Sequence, residues 1–299
     1  SNTLRIIKTK ITSKMTKVLI ATEKPFAQAA VDQIKSVLKE ASYDAYFLEK
    51  YTEKEQLLES VSDADAMIIR SDKVTPEVIE AAKNLKIVVR AGAGYDNVDL
   101  EAATKNNVAV MNTPGQNSNA VAELAIGMMI YQARNHFNGT SGTELKGKKL
   151  GIHAYGNVGR LVANIAKGFG MDIFAFDPFV SKESMEAEGV VVCDTAEDLY
   201  ASCDYISLHI PANDKTKKSI NYDLLSKMKD GAVVVNTARK EVINEDELVK
   251  LMEEKPKFKY VSDIAPLNRD LLEEKFAGRV FFTPKKMGAQ TAEANVNAG

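Results

Sequence analysis

Leu150-Gly151-Ile152-His153-Ala154-Tyr155-Gly156-Asn157-Val158-Gly159 decides how the chain is read. A short run of β-formers enters a turn with glycines at 156 and 159. Beyond it, Val158, Leu161, Val162, Ile165, Ala166 and Phe169 recur at helical spacing. The pattern is strand, tight turn, helix. Gly156 lets backbone approach a pyrophosphate, and Gly159 lets the helix pack closely on the strand. Asn157 and Val158 lie at the helix N-terminus, where free N–H groups and the positive dipole end favour an anion. Ala154 stands where the dinucleotide fingerprint has its first glycine, and it serves if that turn does not need a positive φ. Ile173-Phe174-Ala175-Phe176-Asp177 then supplies a second strand ending in an acid. A carboxylate there takes both ribose hydroxyls and repels a 2′-phosphate, which favours NAD over NADP. The competing role for Asp177, before Pro178, is a turn or helix cap.

Outward from this motif, strand and helix alternate. Val18 to Ala21 reads as a strand, followed by Ala29, Ala30, Ile34, Val37 and Leu38 at helical spacing. Strands are expected at Tyr43 to Leu48, Ala66 to Ile69, Ile87 to Val89 and Val108 to Val110. Helices are expected over Lys54 to Val61 and from Pro76 through Ala82. Asn112-Thr113-Pro114-Gly115 is a breaker cluster and a candidate hinge. A long helix, about Ser118 to Phe137, is apolar on nearly all sides and should be buried between domains or subunits. Asn138 to Lys149 reads as a linker. Past the opening motif, strands are expected at Met171 to Phe176, Tyr205 to His209, Ala232 to Val235, Tyr260-Val261 and Val280 to Phe282. The fold class is α/β, with two doubly wound parallel sheets. The expected division is residues 1–16 as a disordered leader or tag, 17–112 plus 291–299 as one domain, and 113–290 as the dinucleotide-binding domain. The last helix, begun near Thr291, is expected to be cut short at Gly299.

Composition narrows the function classes. The 299 residues are 45% apolar and 27% charged, which excludes disordered, collagenous and disulfide-scaffold proteins. The longest apolar stretch, Ala122 to Tyr131, contains Glu123 and is far short of the roughly 18 residues that span a membrane. Cys193 and Cys203 show no CxxC spacing and read as buried thiols of a reducing, cytoplasmic compartment. The three histidines, His136, His153 and His209, lack ligand spacing, so no metal site is expected. Residues 1–17 carry five cations and no acid. That composition suits a cloning scar with an upstream extension, or an organelle transit peptide. The remainder is net acidic, so no nucleic-acid face is implied.

Further motifs follow in order: Arg90-Ala91-Gly92-Ala93-Gly94-Tyr95-Asp96-Asn97-Val98-Asp99, Val110-Met111-Asn112-Thr113-Pro114, Val121-Ala122-Glu123-Leu124, Asn236-Thr237-Ala238-Arg239 and Thr283-Pro284. Together they resemble the D-2-hydroxyacid dehydrogenase family, over residues 17–299, and within it the branch that oxidises phosphoglycerate. The resemblance implies a flavodoxin-like substrate domain, a Rossmann NAD domain and an active site in the cleft. It implies that Ala91, Gly92, Ala93 and Gly94 present backbone N–H groups to a substrate carboxylate. Arg239 would hold that carboxylate and polarise the reacting C2 oxygen. Asp263 would take the nicotinamide carboxamide and Ile210 with Pro211 the adenine side. Thr237, Ala238 and Gly288 would line the cofactor. Arg70 matches the family's phosphate-binding arginine, with Arg90 and Arg134 as helpers. A homodimer through the NAD domains is implied; longer relatives carry a serine-binding regulatory domain, for which these 299 residues leave no room, so no serine feedback by that route is expected.

Two departures fall at the chemistry. Where the family has Pro-His-Ile-Gly, this chain reads Pro284-Lys285-Lys286-Met287-Gly288, and where the family pairs that histidine with Glu, position 268 is Asn. Alignment backwards from Gly288 puts Lys286 in the histidine position. A lysine transfers protons if its pKa falls from about 10.4 toward neutrality, which burial and a nearby cation such as Arg239 both promote. The glutamate would oppose that, so both losses make sense as one coupled change. The expected activity is NAD-dependent oxidation of 3-phosphoglycerate to 3-phosphohydroxypyruvate, the first step of serine synthesis. Two other readings stay open: reduction of glyoxylate, hydroxypyruvate or another 2-keto acid, and a non-catalytic NAD-sensing protein.

Overall fold

Every strand expected from the apolar runs is present in the computed structural model, which describes residues 14–299, and all pair in parallel. The expected leader, residues 1–16, falls outside the described residues up to Ser13. The chain divides into two units: one extends to Gln116 and takes in Asn295–Gly299, the other is Asn117–Ala294.

The first unit runs β1 (Lys17–Thr22), α1 (Gln28–Glu40), β2 (Asp44–Glu49), α2 (Lys54–Val61), β3 (Ala66–Ile69), α3 (Pro76–Ala81), β4 (Ile87–Arg90), α4 (Leu100–Lys105) and β5 (Ala109–Asn112). Its sheet order is β2-β1-β3-β4-β5, the flavodoxin-like arrangement, with the switch point between β1 and β3. Alternation places Leu19 and Ala21 in the core on one face and Val18 and Ile20 in the core on the other. Sheets buried on both faces read as unbroken apolar runs, which is why these strands are legible. α3 starts where Pro76 occupies its first turn and the Thr75 hydroxyl accepts from Val78 N.

The second unit opens with α5 (Ser118–Ala133), followed by β6 (Lys149–His153), α6 (Asn157–Gly168), β7 (Asp172–Phe176), α7 (Lys182–Ala187), β8 (Val191–Val192), α8 (Ala196–Ser202) and β9 (Tyr205–Leu208). It continues through α9 (Tyr222–Leu225), β10 (Val233–Asn236), α10 (Glu245–Glu254), β11 (Lys259–Ser262), α11 (Arg269–Lys275), β12 (Val280–Phe282) and α12 (Ala292–Ala298), whose last residues belong to the first unit. The order β12-β11-β10-β9-β6-β7-β8 is a Rossmann sheet with one extra strand, and its switch point lies between β6 and β9. Leu150 and Ile152 feed one core layer. Gly151 faces the other, where a Cβ would come within 2.5 Å of Ile206 Cδ1.

The helix expected to reach Phe137 ends at Ala133. Asn135, His136 and Phe137 all take positive φ, between 51° and 56°, and reverse the chain. The His136 ring stacks on Tyr131 with centroids 4.6 Å apart. α5 buries Ala122, Ala125, Ile126, Met128 and Met129, while Glu123, Gly127 and Arg134 stay exposed.

Candidate active site

In the second unit, the strand ends at the switch point carry the nucleotide loop. Ala154 N donates to Phe176 O and Tyr155 N to Asp177 Oδ2, so the loop hangs between β6 and β7. Ala154 has φ +78°, so the turn does require the left-handed region. The condition under which alanine serves there is therefore not met: its Cβ crowds the following carbonyl, at a cost of about 1–2 kcal/mol. A Cβ on Gly159 would meet Ala154 O at 2.5 Å, which explains the glycine where α6 crosses the loop. A Cβ on Gly156 would meet nothing within 4 Å. That open cradle faces the start of α6, whose N-cap, Gly156, has no side chain to satisfy the first N–H groups. The residues present fit a dinucleotide pyrophosphate.

Asp177 fills the turn role weighed for it and keeps acceptor capacity for the other. Its Oδ1 accepts from Phe179 N at 2.8 Å and its Oδ2 from Tyr155 N at 2.7 Å, so it pins both its own turn and the loop. A carboxylate offers about four acceptor positions, so two remain for ribose hydroxyls. Tyr155 is buried, its hydroxyl donates to Glu188, and Glu188 pairs with Arg160 Nε at 3.1 Å. His153 and His209 end β6 and precede Ile210. They bond Tyr200 Oη and Ser207 Oγ, each at 2.8 Å. Burial pushes the His153 pKa down to about 4, against the pull of Asp177 and Glu197. Burial, with His153 nearby, pushes His209 down to about 3. Ile210 is buried and Pro211 exposed.

The Arg239 turn follows β10. Asn236 is fully buried, and its side chain donates to Arg239 O and accepts from Ala238 N, closing the turn on itself. Arg239 Nη1 lies 3.3 Å from Ala238 O, and Lys286 Nζ lies 3.0 Å from the same oxygen. The two cations named from the sequence therefore share one carbonyl. Lys286 is exposed. Of the two influences expected to favour proton transfer, cation proximity is present and burial is absent. Asp263 is fully buried, and its carboxylate accepts from Met287 N and Gly288 N. The Thr237 hydroxyl is buried without a hydrogen-bond partner.

In the first unit, Arg70 follows β3 at the switch point. Its Nη1 donates to Lys24 O and Pro25 O and its Nη2 to Asn295 Oδ1, with the guanidinium over the Phe26 ring. Burial lowers its pKa. Arg90 Nε donates to Gly94 O and Nη1 to Ala91 O, so its guanidinium organises the 91–94 loop from beneath. Ala91 N is committed to Ile69 O and Gly92 N to Thr113 Oγ1, leaving Ala93 and Gly94 as the amides the loop can offer. Asn112 Nδ2 donates to Ala93 O, so the expected hinge residues clasp this loop. Arg134 is an exposed residue of the second unit, just past α5.

Residues 120–284 match the D-isomer specific 2-hydroxyacid dehydrogenase NAD binding domain. The chain belongs to this family. It is 39% identical over 264 residues to the D-3-phosphoglycerate dehydrogenase of Methanocaldococcus jannaschii, a match covering 82% of this chain and 50% of that protein. It is 40% identical over 213 residues to the hydroxypyruvate reductase of Thermotoga maritima, covering 67% of this chain and 68% of that one. The crystal structure of NAD+-bound 3-phosphoglycerate dehydrogenase from Entamoeba histolytica superposes with a TM-score of 0.87 at 45% identity, over 95% of this chain and 92% of that chain. The chain spans about half the length of the curated D-3-phosphoglycerate dehydrogenases it matches. Sequence reading missed two organising residues. Asp72, 3% exposed, accepts from Glu23 N, Tyr51 Oη and Arg70 N, and thereby sets the backbone of Arg70. Asn236 does the same for Arg239. The available signal was a polar residue ending β10 for Asn236 and an acid three residues beyond β3 for Asp72.

Proposed function

We propose that the chain catalyses NAD-dependent oxidation of 3-phosphoglycerate to 3-phosphohydroxypyruvate, the first step of serine biosynthesis. The observation that carries this reading is the shared acceptor: Arg239 and Lys286 converge on Ala238 O. An anionic substrate seated there meets a guanidinium suited to a carboxylate and a lysine whose neutral amine takes the C2 hydroxyl proton as the hydride leaves, and whose ammonium returns it in the reverse direction. NAD, when bound, supplies the hydride acceptor. Ala93 N and Gly94 N bind the substrate carboxylate, and Arg70 and its neighbours the phosphate. Arg70 has N–H groups beyond the three contacts it makes within the protein. The 45% identity to the Entamoeba enzyme supports the phosphorylated substrate.

The second reading is hydroxypyruvate or glyoxylate reduction, favoured by the commitment of Arg70 to Lys24, Pro25 and Asn295. The test is NADH oxidation with 3-phosphohydroxypyruvate, hydroxypyruvate and glyoxylate at equal concentration. Preference for the phosphorylated acid supports the first reading, preference for a plain acid the second. NADH binding without turnover on any of them sinks both. The proposal extends to a homodimer through the NAD domain, to which the open flank at Gly127 and the exposed ring of Phe137 are suited. Light scattering of the intact protein tests it. A cytoplasmic location accords with the free thiols Cys193 and Cys203.

A further inference from the structure

We infer that Asp263 is the positioning residue for Lys286, acting through the loop that carries it. The inference rests on the reading of Lys286 as the acid/base group. Asp263 sits at the end of β11 with no exposed surface. Its Oδ1 accepts from Met287 N at 2.8 Å and lies 3.2 Å from Thr283 Oγ1. Its Oδ2 accepts from Gly288 N at 2.9 Å. Thr283 Oγ1 also reaches Lys285 O at 2.8 Å. The carboxylate therefore holds the backbone just after Lys286, while Thr283, which has one proton to give to Lys285 O or to Asp263, stands against the stretch before it.

The arrangement explains three features together. Bonds from backbone N–H to a carboxylate are charge-assisted and among the stronger in proteins. A buried carboxylate must be well satisfied, and this loop does it. Gly288 is the second feature: a Cβ there would stand 2.9 Å from Asp263 Oδ2 and 3.1 Å from Val121 Cγ2, so only glycine lets the loop backbone come so near. The third is the lysine itself. Its long flexible stem does not aim its charge as an imidazole ring does, so the Cα must be fixed for Nζ to reach Ala238 O beside Arg239. The resemblance assigns Asp263 to the nicotinamide carboxamide. Two of its roughly four acceptor positions already serve the loop amides and a third lies against Thr283 Oγ1, which leaves room for one such contact and makes loop placement the larger task.

Asp263→Asn preserves shape but turns one oxygen into a donor facing a backbone N–H. At saturating NADH, kcat should fall about 100-fold or more, the scale of lost proton-transfer catalysis, a loss larger than any fold-change in the NADH Kd. Added to Lys286→Ala, it should cause no further loss of kcat, because both act on one element. Gly288→Ala keeps the carboxylate and should reproduce the kcat loss, which covers the case in which Asp263→Asn does not fold. Acylation of Lys286 relative to Lys285, read by mass spectrometry, follows the loop without turnover and should change several-fold in both variants. A loss confined to NADH affinity, with kcat kept at saturation, overturns the inference, as does an unchanged acylation ratio. Turnover retained by Lys286→Ala sinks the acid/base reading alone, and the acylation ratio then decides the role of Asp263.

Discussion

Acidification from pH 7.5 to pH 5 should weaken the second unit by roughly 2–4 kcal/mol, through histidines that the fold holds neutral. His153 is buried, and its pKa falls from the ordinary 6.5 to about 4. Between those values the unfolded chain binds a proton that the folded chain refuses. Stability is therefore whole above pH 6.5 and is lost as pH falls toward 4. At pH 5 the unfolded His153 is almost fully protonated and the folded one is about nine-tenths neutral, which amounts to about 2 kcal/mol. His209 is displaced in the same direction but is only part-buried, so its share is at most similar. His136, the remaining histidine, is lowered by burial too. No other side-chain type ordinarily titrates between pH 5 and pH 6.5, which makes the window clean. Urea melts followed by circular dichroism give the stability at each pH, and the transition that NADH shifts identifies the second unit. His153→Phe should flatten the dependence by about half. A stability that stays level from pH 7 to pH 5, or rises on acidification, would refute the argument.

Three further outcomes follow from single positions. Ala154→Gly relieves a φ of +78° at a gain of about 1–2 kcal/mol, offset by about 0.4–1 kcal/mol of unfolded-state entropy, so the melting temperature should rise slightly and a fall would count against the strain. Thr237→Val removes a buried hydroxyl that lacks a partner and should stabilise by about 1 kcal/mol in a denaturant melt; marked destabilisation would mean the hydroxyl is bonded. Gly159→Ala drives a Cβ to 2.5 Å from Ala154 O, and NADH affinity should drop at least about tenfold by fluorescence titration, since a misplaced loop misdirects its amides.

Much of this fold is written in local pattern. Leu150 to Ile152 and Val233 to Val235 are buried on both faces, so their apolar runs are visible without any partner. β8 was invisible because two valines have no period to read. The end of α5 was misjudged because Asn135, His136 and Phe137 turn the chain with no glycine or proline to announce it. The need for positive φ at Ala154 arises from the crossing of α6 over the turn, a property of assembled elements. At the site, Arg239, Lys286 and Asp263 could be named, but the shared oxygen of Ala238 and the loop gathered by Asp263 join residues 20 to 48 positions apart. Arg90 was assigned to the substrate, whereas its guanidinium is bonded to Ala91 and Gly94; side-chain direction at a strand end is set by the loop it folds under.

The bond between Arg70 and Asn295 has a consequence for how the chain is made. The two residues are 225 positions apart, and the whole Asn117–Ala294 unit is synthesised between them. At about 5–20 residues per second, roughly 10–45 seconds separate the appearance of Arg70 from that of its partner. The first sheet can form early, but the clamp on its arginine waits until the second unit has emerged. A ribosome stalled within that interval would display a nascent first unit whose strands are in order and whose arginine has yet to receive its asparagine.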